Sequence, residues 1–101
     1  MTDLSSLNWI EAPEHPALKY AEDGDNLILK YYKTHVYTNW DKVERVVPYI
    51  STDENAKLRN NNAFKRGIRS ITGEPHTQNK RCGARLFVRL VAYGKIRREG
   101  A

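Results

Sequence analysis

Apolar and polar positions alternate most clearly near the C-terminal end, in the run Ala84-Arg85-Leu86-Phe87-Val88-Arg89-Leu90-Val91-Ala92-Tyr93. Leu86, Val88, Leu90 and Ala92 share one side of an extended chain, and Arg85, Phe87, Arg89, Val91 and Tyr93 share the other. Side chains alternate across a strand, so this period of two predicts a strand over 84–93. One face would pack on a core, and the other would show arginines between aromatics.

The remainder of the chain divides into shorter signals. Residues 1–16 read as an extended arm, because Pro13 and Pro16 interrupt any helix. The arm holds Leu4, Leu7, Trp9 and Ile10, and a large aromatic such as Trp9 is expected to dock on its own domain. Residues 17–21 suit a short strand, and Glu22-Asp23-Gly24-Asp25-Asn26 is a turn centred on Asp-Gly. Two periods compete over 27–38. Tyr31, Tyr32, Thr34, Val36 and Tyr37 favour a strand, whereas Ile28, Tyr32, Val36, Trp40, Val43, Val47 and Ile50 recur at helical spacing. The density of β-branched and aromatic residues favours strand first and helix after.

A helix is predicted over 39–47, with Thr38 or Asn39 as cap, Trp40, Val43 and Val47 toward the core, and Pro48 as terminator. Ser51 and Glu54 have the spacing of a capping box for a further helix. Ala56, Ala63, Phe64, Gly67, Ile68 and Ile71 would form its apolar face, opposite Lys57, Arg59, Lys65, Arg66 and Arg69. Asn60-Asn61-Asn62 would make a kink or the turn between two helices. Residues 72–83 read as a polar loop with Gly73, Pro75 and Gly83, and 95–101 as a basic tail. The expected protein is therefore a small single α+β domain over 1–101, with two or three helices on a short antiparallel sheet and a globular core over 17–94.

Charge sharpens this picture. The net charge of +5 conceals an asymmetry: residues 1–50 carry five Lys and Arg against eight Asp and Glu, whereas 51–101 carry twelve against four. A basic half beside an acidic half is the electrostatic footprint of a nucleic-acid binder. No apolar run is long enough to span a bilayer, and a cytoplasmic location is the expectation. The one cysteine, Cys82, has no internal disulfide partner, which suits a reducing compartment.

Catalytic patterns are not evident. His76 and Cys82 lie six residues apart, while His15 and His35 are distant in sequence, so zinc-ligand spacing is missing. A Cys82–His76 nucleophilic pair has only proximity in its favour. There is no phosphate-binding glycine loop, no G-x-S-x-G and no H-E-x-x-H. The expectation is a protein without catalysis, metal or cofactor.

Helix, basic loop and β-element follow in that order over roughly 39–93, a layout that resembles a winged helix-turn-helix. The resemblance implies a winged-helix-like domain whose helix enters the major groove and whose loop touches the backbone. Arg66 and Arg69, with Lys65 beside them, would contact base edges or phosphates, and Lys80, Arg81, Arg97 and Arg98 would contact phosphates. Lys57, Arg59, Arg85 and Arg89 complete the candidate surface, and Phe87 and Tyr93 would stack unpaired bases if the ligand were single-stranded. The expected partner is nucleic acid, duplex DNA ahead of RNA, in transcription regulation or as an accessory factor. A dimer would suit DNA half-sites, though nothing in the sequence is a dimerisation signature. The alternative is a small inhibitor or adaptor, of the kind viruses and mobile elements encode, that docks on an acidic protein or a nucleic-acid enzyme through an aromatic anchor.

Overall fold

Three tight turns shape the first half of the chain. In a computed structural model, which describes residues 4–46, 62–73 and 77–98, a short 3-10 turn (Leu4–Ser6) precedes four strands. They are β1 (Ile10–Ala12), β2 (His15–Asp23), β3 (Asn26–Tyr31) and β4 (Thr34–Asn39), and they form one antiparallel sheet in sequence order. Pro13 and Glu14 join β1 to β2, and Glu14 takes a φ of 67° as the second residue of that turn. Gly24, with a φ of 63°, opens the two-residue loop between Asp23 and Asn26, where positive φ is needed and glycine supplies it at least cost. The third turn uses Tyr32, at a φ of 55°, with Lys33.

Register decides which residues meet the core. Tyr20 lies opposite Leu29, and Leu29 opposite Val36; Leu18 lies opposite Tyr31. These residues share the inner face of the sheet, and three helices cover it: α1 (Trp40–Val46), α2 (Asn62–Thr72) and α3 (Gln78–Ala92). Asn39 caps α1 by accepting a hydrogen bond from the Lys42 amide at 2.9 Å, and Asp41 sits in the first turn, where the helix dipole favours it. Trp40 is fully buried at the junction of the layers. Its indole N–H donates to Glu22 Oε1 at 3.0 Å, and its ring meets Phe87 at 5.7 Å. Phe87 also meets the Tyr20 ring edge-on at 5.4 Å, so one α3 side chain touches both the sheet and α1. The outcome is a small, compact α+β domain.

The N-terminal segment lies on the other face of the sheet. Trp9 stands against His35 at 6.1 Å, with Lys30 Nζ 6.0 Å from its ring centroid, and its indole N–H donates to the Leu4 carbonyl. The segment also supplies strand β1, so it is part of the sheet as well as its cover.

The strand expected over 84–93 is a correction. Residues 84–92 belong to α3 and Tyr93 caps it; the helix begins at Gln78 and so also takes in the later half of the expected 72–83 loop. Thr77 caps it, its hydroxyl accepting from the Lys80 amide at 3.2 Å. Ala84, Phe87, Val88 and Val91 are buried at spacings of three, one and three, a helical stripe. The run is so rich in apolar residues that a period of two could also be drawn through it, but most of it is Ala, Arg and Leu, which favour helix. Gly83 lets α3 close on the sheet: a Cβ there would lie 2.8 Å from Tyr31 Cβ. With 84–93 helical, the β-element of the helix–loop–strand layout is gone, and the sheet precedes every described helix. Pro48, the Ser51–Glu54 capping box, Lys57, Arg59 and His76 lie outside the described residues. Among the described residues, no helix is long and apolar enough to cross a membrane.

Candidate nucleic-acid interface

Amphipathicity fixes how α2 presents its charge. Phe64, Ile68 and Ile71 are buried, at spacings of four and three, so Lys65, Arg66 and Arg69 are turned outward. Gly67 permits close approach to α1, since a methyl group there would collide with Val46. Beside α2 runs α3, whose cations Lys80, Arg81, Arg85 and Arg89 are all half-buried. Arg81, Arg85 and Arg89 recur every four residues, which places one above the next along about 12 Å of helix.

The two helices enclose a cleft of about 240 Å³ lined by Lys65, Ile68, Arg69, Arg81 and Arg85. Four of these five residues are cationic, and among the described residues no carboxylate lines it. Neither α2 nor α3 contains an Asp or Glu, against seven Lys and Arg. Three like-charged pairs stand at i,i+4: Lys65 with Arg69, Arg81 with Arg85, and Arg85 with Arg89. At roughly 0.2–0.5 kcal/mol each, these pairs destabilise the helices by about 1 kcal/mol in all. The Nε atoms of Arg85 and Arg89 are buried and have no hydrogen-bond partner among the described residues. A buried donor left without an acceptor costs about 1–3 kcal/mol.

The other expected contacts fall elsewhere. Lys80 stands in the first turn of α3, next to the capping Thr77. Arg97 is exposed beyond α3. Arg98 forms ion pairs with Asp25 and with Glu44, the latter at 3.7 Å, so the C-terminal segment is tied to the β2–β3 turn and to α1. Ile96 is buried in the core between these charges. Phe87, expected on a stacking face, is fully buried and not open to a base. Tyr93 ends α3 and is half-buried. Sequence reading assigned Arg85 and Arg89 to an exposed strand and so missed their alignment with Arg81, although the four-residue spacing was there to be seen.

Cys82 is a free thiol, within 3.8 Å of the Gln78 amide nitrogen. Among the described residues no group of three or more His, Cys, Asp or Glu is placed to hold a metal ion. Compared with known proteins, the chain matches no family model, no curated protein and no solved structure. Fold and surface together define a class only: a small α+β domain in which two of the three helices, α2 and α3, carry cations and no carboxylate.

Proposed function

We propose that the protein binds nucleic acid through its phosphate backbone, duplex DNA ahead of RNA, as a non-catalytic regulator or accessory factor. The observation that carries this reading is the α2–α3 cleft, where Lys65, Arg69, Arg81 and Arg85 converge. Arginine is suited to this task because its planar fork matches phosphate oxygens in pairs. The rise along α3 supports the same reading. About 12 Å of helix from Arg81 to Arg89 corresponds to the axial rise of three to four phosphates on one strand.

The test is fluorescence anisotropy with labelled duplex DNA, single-stranded DNA and RNA at two salt concentrations. Four phosphate contacts give a slope of log K against log[salt] near −3.6, so affinity for duplex DNA should fall about a hundredfold between 50 and 200 mM salt. Reversing Arg69 and Arg85 to Glu should abolish binding while leaving the circular dichroism spectrum unchanged. If wild-type protein binds none of the three at low salt, the reading is wrong.

A second reading has one observation in its favour. Tyr32 and Tyr37 are 61% and 63% exposed, and exposed tyrosines are typical anchors of protein interfaces. An acidic protein partner would then depend on these rings as well as on the cationic cleft, whereas DNA binding would be indifferent to Tyr32→Ala.

A further inference from the structure

Beyond Arg85, one turn further along α3, lies a second cleft. It measures about 280 Å³ and is bordered by Leu86, Arg89 and Leu90 from α3, Tyr93 that caps it, Glu14 from the β1–β2 turn, His15 at the start of β2, and Lys95 from the segment after the helix. Arg85 faces the first cleft and Arg89 the second, four residues or about 6 Å apart along the helix axis. Arg89 lines this cleft, and its Nε is buried with no acceptor among the described residues. The cleft contains one carboxylate, Glu14, which pairs with Lys95 at 2.7 Å. That hydrogen bond and the adjacent ammonium charge hold the Glu14 carboxyl below the usual range. Glu14 also occupies a left-handed backbone conformation, with a φ of 67°. Most residues are strained there.

We infer that this second cleft is a phosphate subsite, centred on Arg89, that continues the anion track of the α2–α3 cleft along α3, with the Glu14–Lys95 ion pair at its end. The inference rests on the nucleic-acid reading and extends it to residues from three separate parts of the chain. A phosphate oxygen accepts from the Arg89 guanidinium where it lines the cleft, as a carboxylate would. Lys95 then exchanges part of its pairing with Glu14 for the incoming phosphate, and Glu14 repels the next phosphate. In this arrangement Glu14 limits affinity, and the track has a defined end.

Two experiments test the assignment. In the first, duplex DNA binding is compared among wild type, Arg89→Gln, Glu14→Gln and the double variant Arg69→Ala/Arg85→Ala. Arg89→Gln should weaken binding by about tenfold, as expected for loss of a hydrogen bond to a charged group. It should also reduce the magnitude of the salt slope by about one. Glu14→Gln should tighten binding by roughly threefold, the effect of removing one like charge in contact with the ligand through water. Wild-type affinity and slope in both single variants, with binding lost only in the double variant, would show that the track ends at the first cleft; the nucleic-acid reading would stand and this inference would fall. Absence of binding by wild type itself would remove both. In the second experiment, the Arg89 Nε–H resonance of the wild-type protein is followed by NMR during titration with inorganic phosphate. A saturable shift there, diminished in Lys95→Ala, supports the subsite even if Arg89→Gln folds poorly. An Arg89 resonance that does not respond overturns it.

Discussion

The sheet region and the two long helices handle charge in opposite ways. Residues 4–46 contain five Lys and Arg and seven Asp and Glu, a balance of −2, while α2 and α3 contain seven cations and no carboxylate. The acids of the first region meet cations at short range: Asp41 pairs with Arg45 within α1, Glu14 with Lys95, and Asp25 with Arg98. Exposed pairs of this kind contribute about 0–1 kcal/mol each, so they stabilise little, but they leave that surface nearly neutral. The helices instead keep like charges stacked at i,i+4, at a small cost in stability, and concentrate a field of one sign. One region intersperses both signs of charge, and the other carries a single sign along two adjacent helices.

The seam between the regions is where the contrast can be broken most severely. Phe87 is the α3 side chain that touches both Tyr20 and Trp40, and Phe87→Ala should cost about 3–5 kcal/mol. Chemical denaturation should then show one earlier transition for sheet and helices alike. Two separate transitions would mean that the layers are independent.

A milder test acts at the same seam from the backbone side. Gly83→Ala forces a methyl group against Tyr31 Cβ, an overpacking cost of about 1–3 kcal/mol that the better helix propensity of alanine offsets by about 1 kcal/mol. A net loss of about 1 kcal/mol is expected in the unfolding midpoint, and its absence would mean that α3 can slide away from β3.

Salt should sharpen the comparison with a smaller effect. Screening weakens the exposed ion pairs of the first region but also relieves the repulsion within α2 and α3, and with a net charge of +5 the second effect prevails. Stability should rise by up to about 1 kcal/mol as salt is increased from about 0.01 to 0.5 M. A thermal midpoint that falls with salt would reverse the assignment of where charge costs stability.

The smallest effect concerns pH. Interaction with Lys95 lowers the Glu14 pKa in the folded protein, so the folded state holds the ionised form more firmly than the unfolded one. The resulting stabilisation is present above the unfolded carboxyl value of about 4.3 and is lost as pH falls through the folded value. Glu14→Gln should remove this part of the acid dependence, detectable as a flatter stability profile between about pH 5 and 3.

Local signals in the sequence were sufficient where a residue type answers to one physical demand. Gly24 marked the β2–β3 turn because positive φ favours glycine, Asn39 marked the start of α1 because its side chain can cap it, and Phe64, Ile68 and Ile71 marked the buried face of α2. The β3–β4 turn was hidden because Tyr32 carries no turn signature, and its left-handed φ is imposed by the pairing of the strands on either side. In the same way, the helical stripe from Ile28 through Val36 to Val43 yielded to strand pairing over its first part. The last helix was hidden by abundance: with apolar residues at nearly every position from 86 to 92, periods of two and of three to four both fit, and only the Thr77 cap and the Tyr31 contact separate them. The cationic cleft was half visible. Its residues were foreseen, but their convergence depends on a helix read as a strand, and the second cleft draws His15 and Lys95 from distant parts of the chain.

The strand order has a consequence in time. Each strand pairs with its neighbour in sequence across a turn of two residues, so every hairpin can close locally, on a scale of roughly microseconds. The seating of α3 on β3 is another matter, since it joins Gly83 to Tyr31 across more than half of the sequence. Long-range contacts of this kind must overcome more loop-closure entropy before they contribute any stability. The sheet should therefore assemble first and the helices dock on it afterwards, which makes the cationic track the last surface of the molecule to appear during folding.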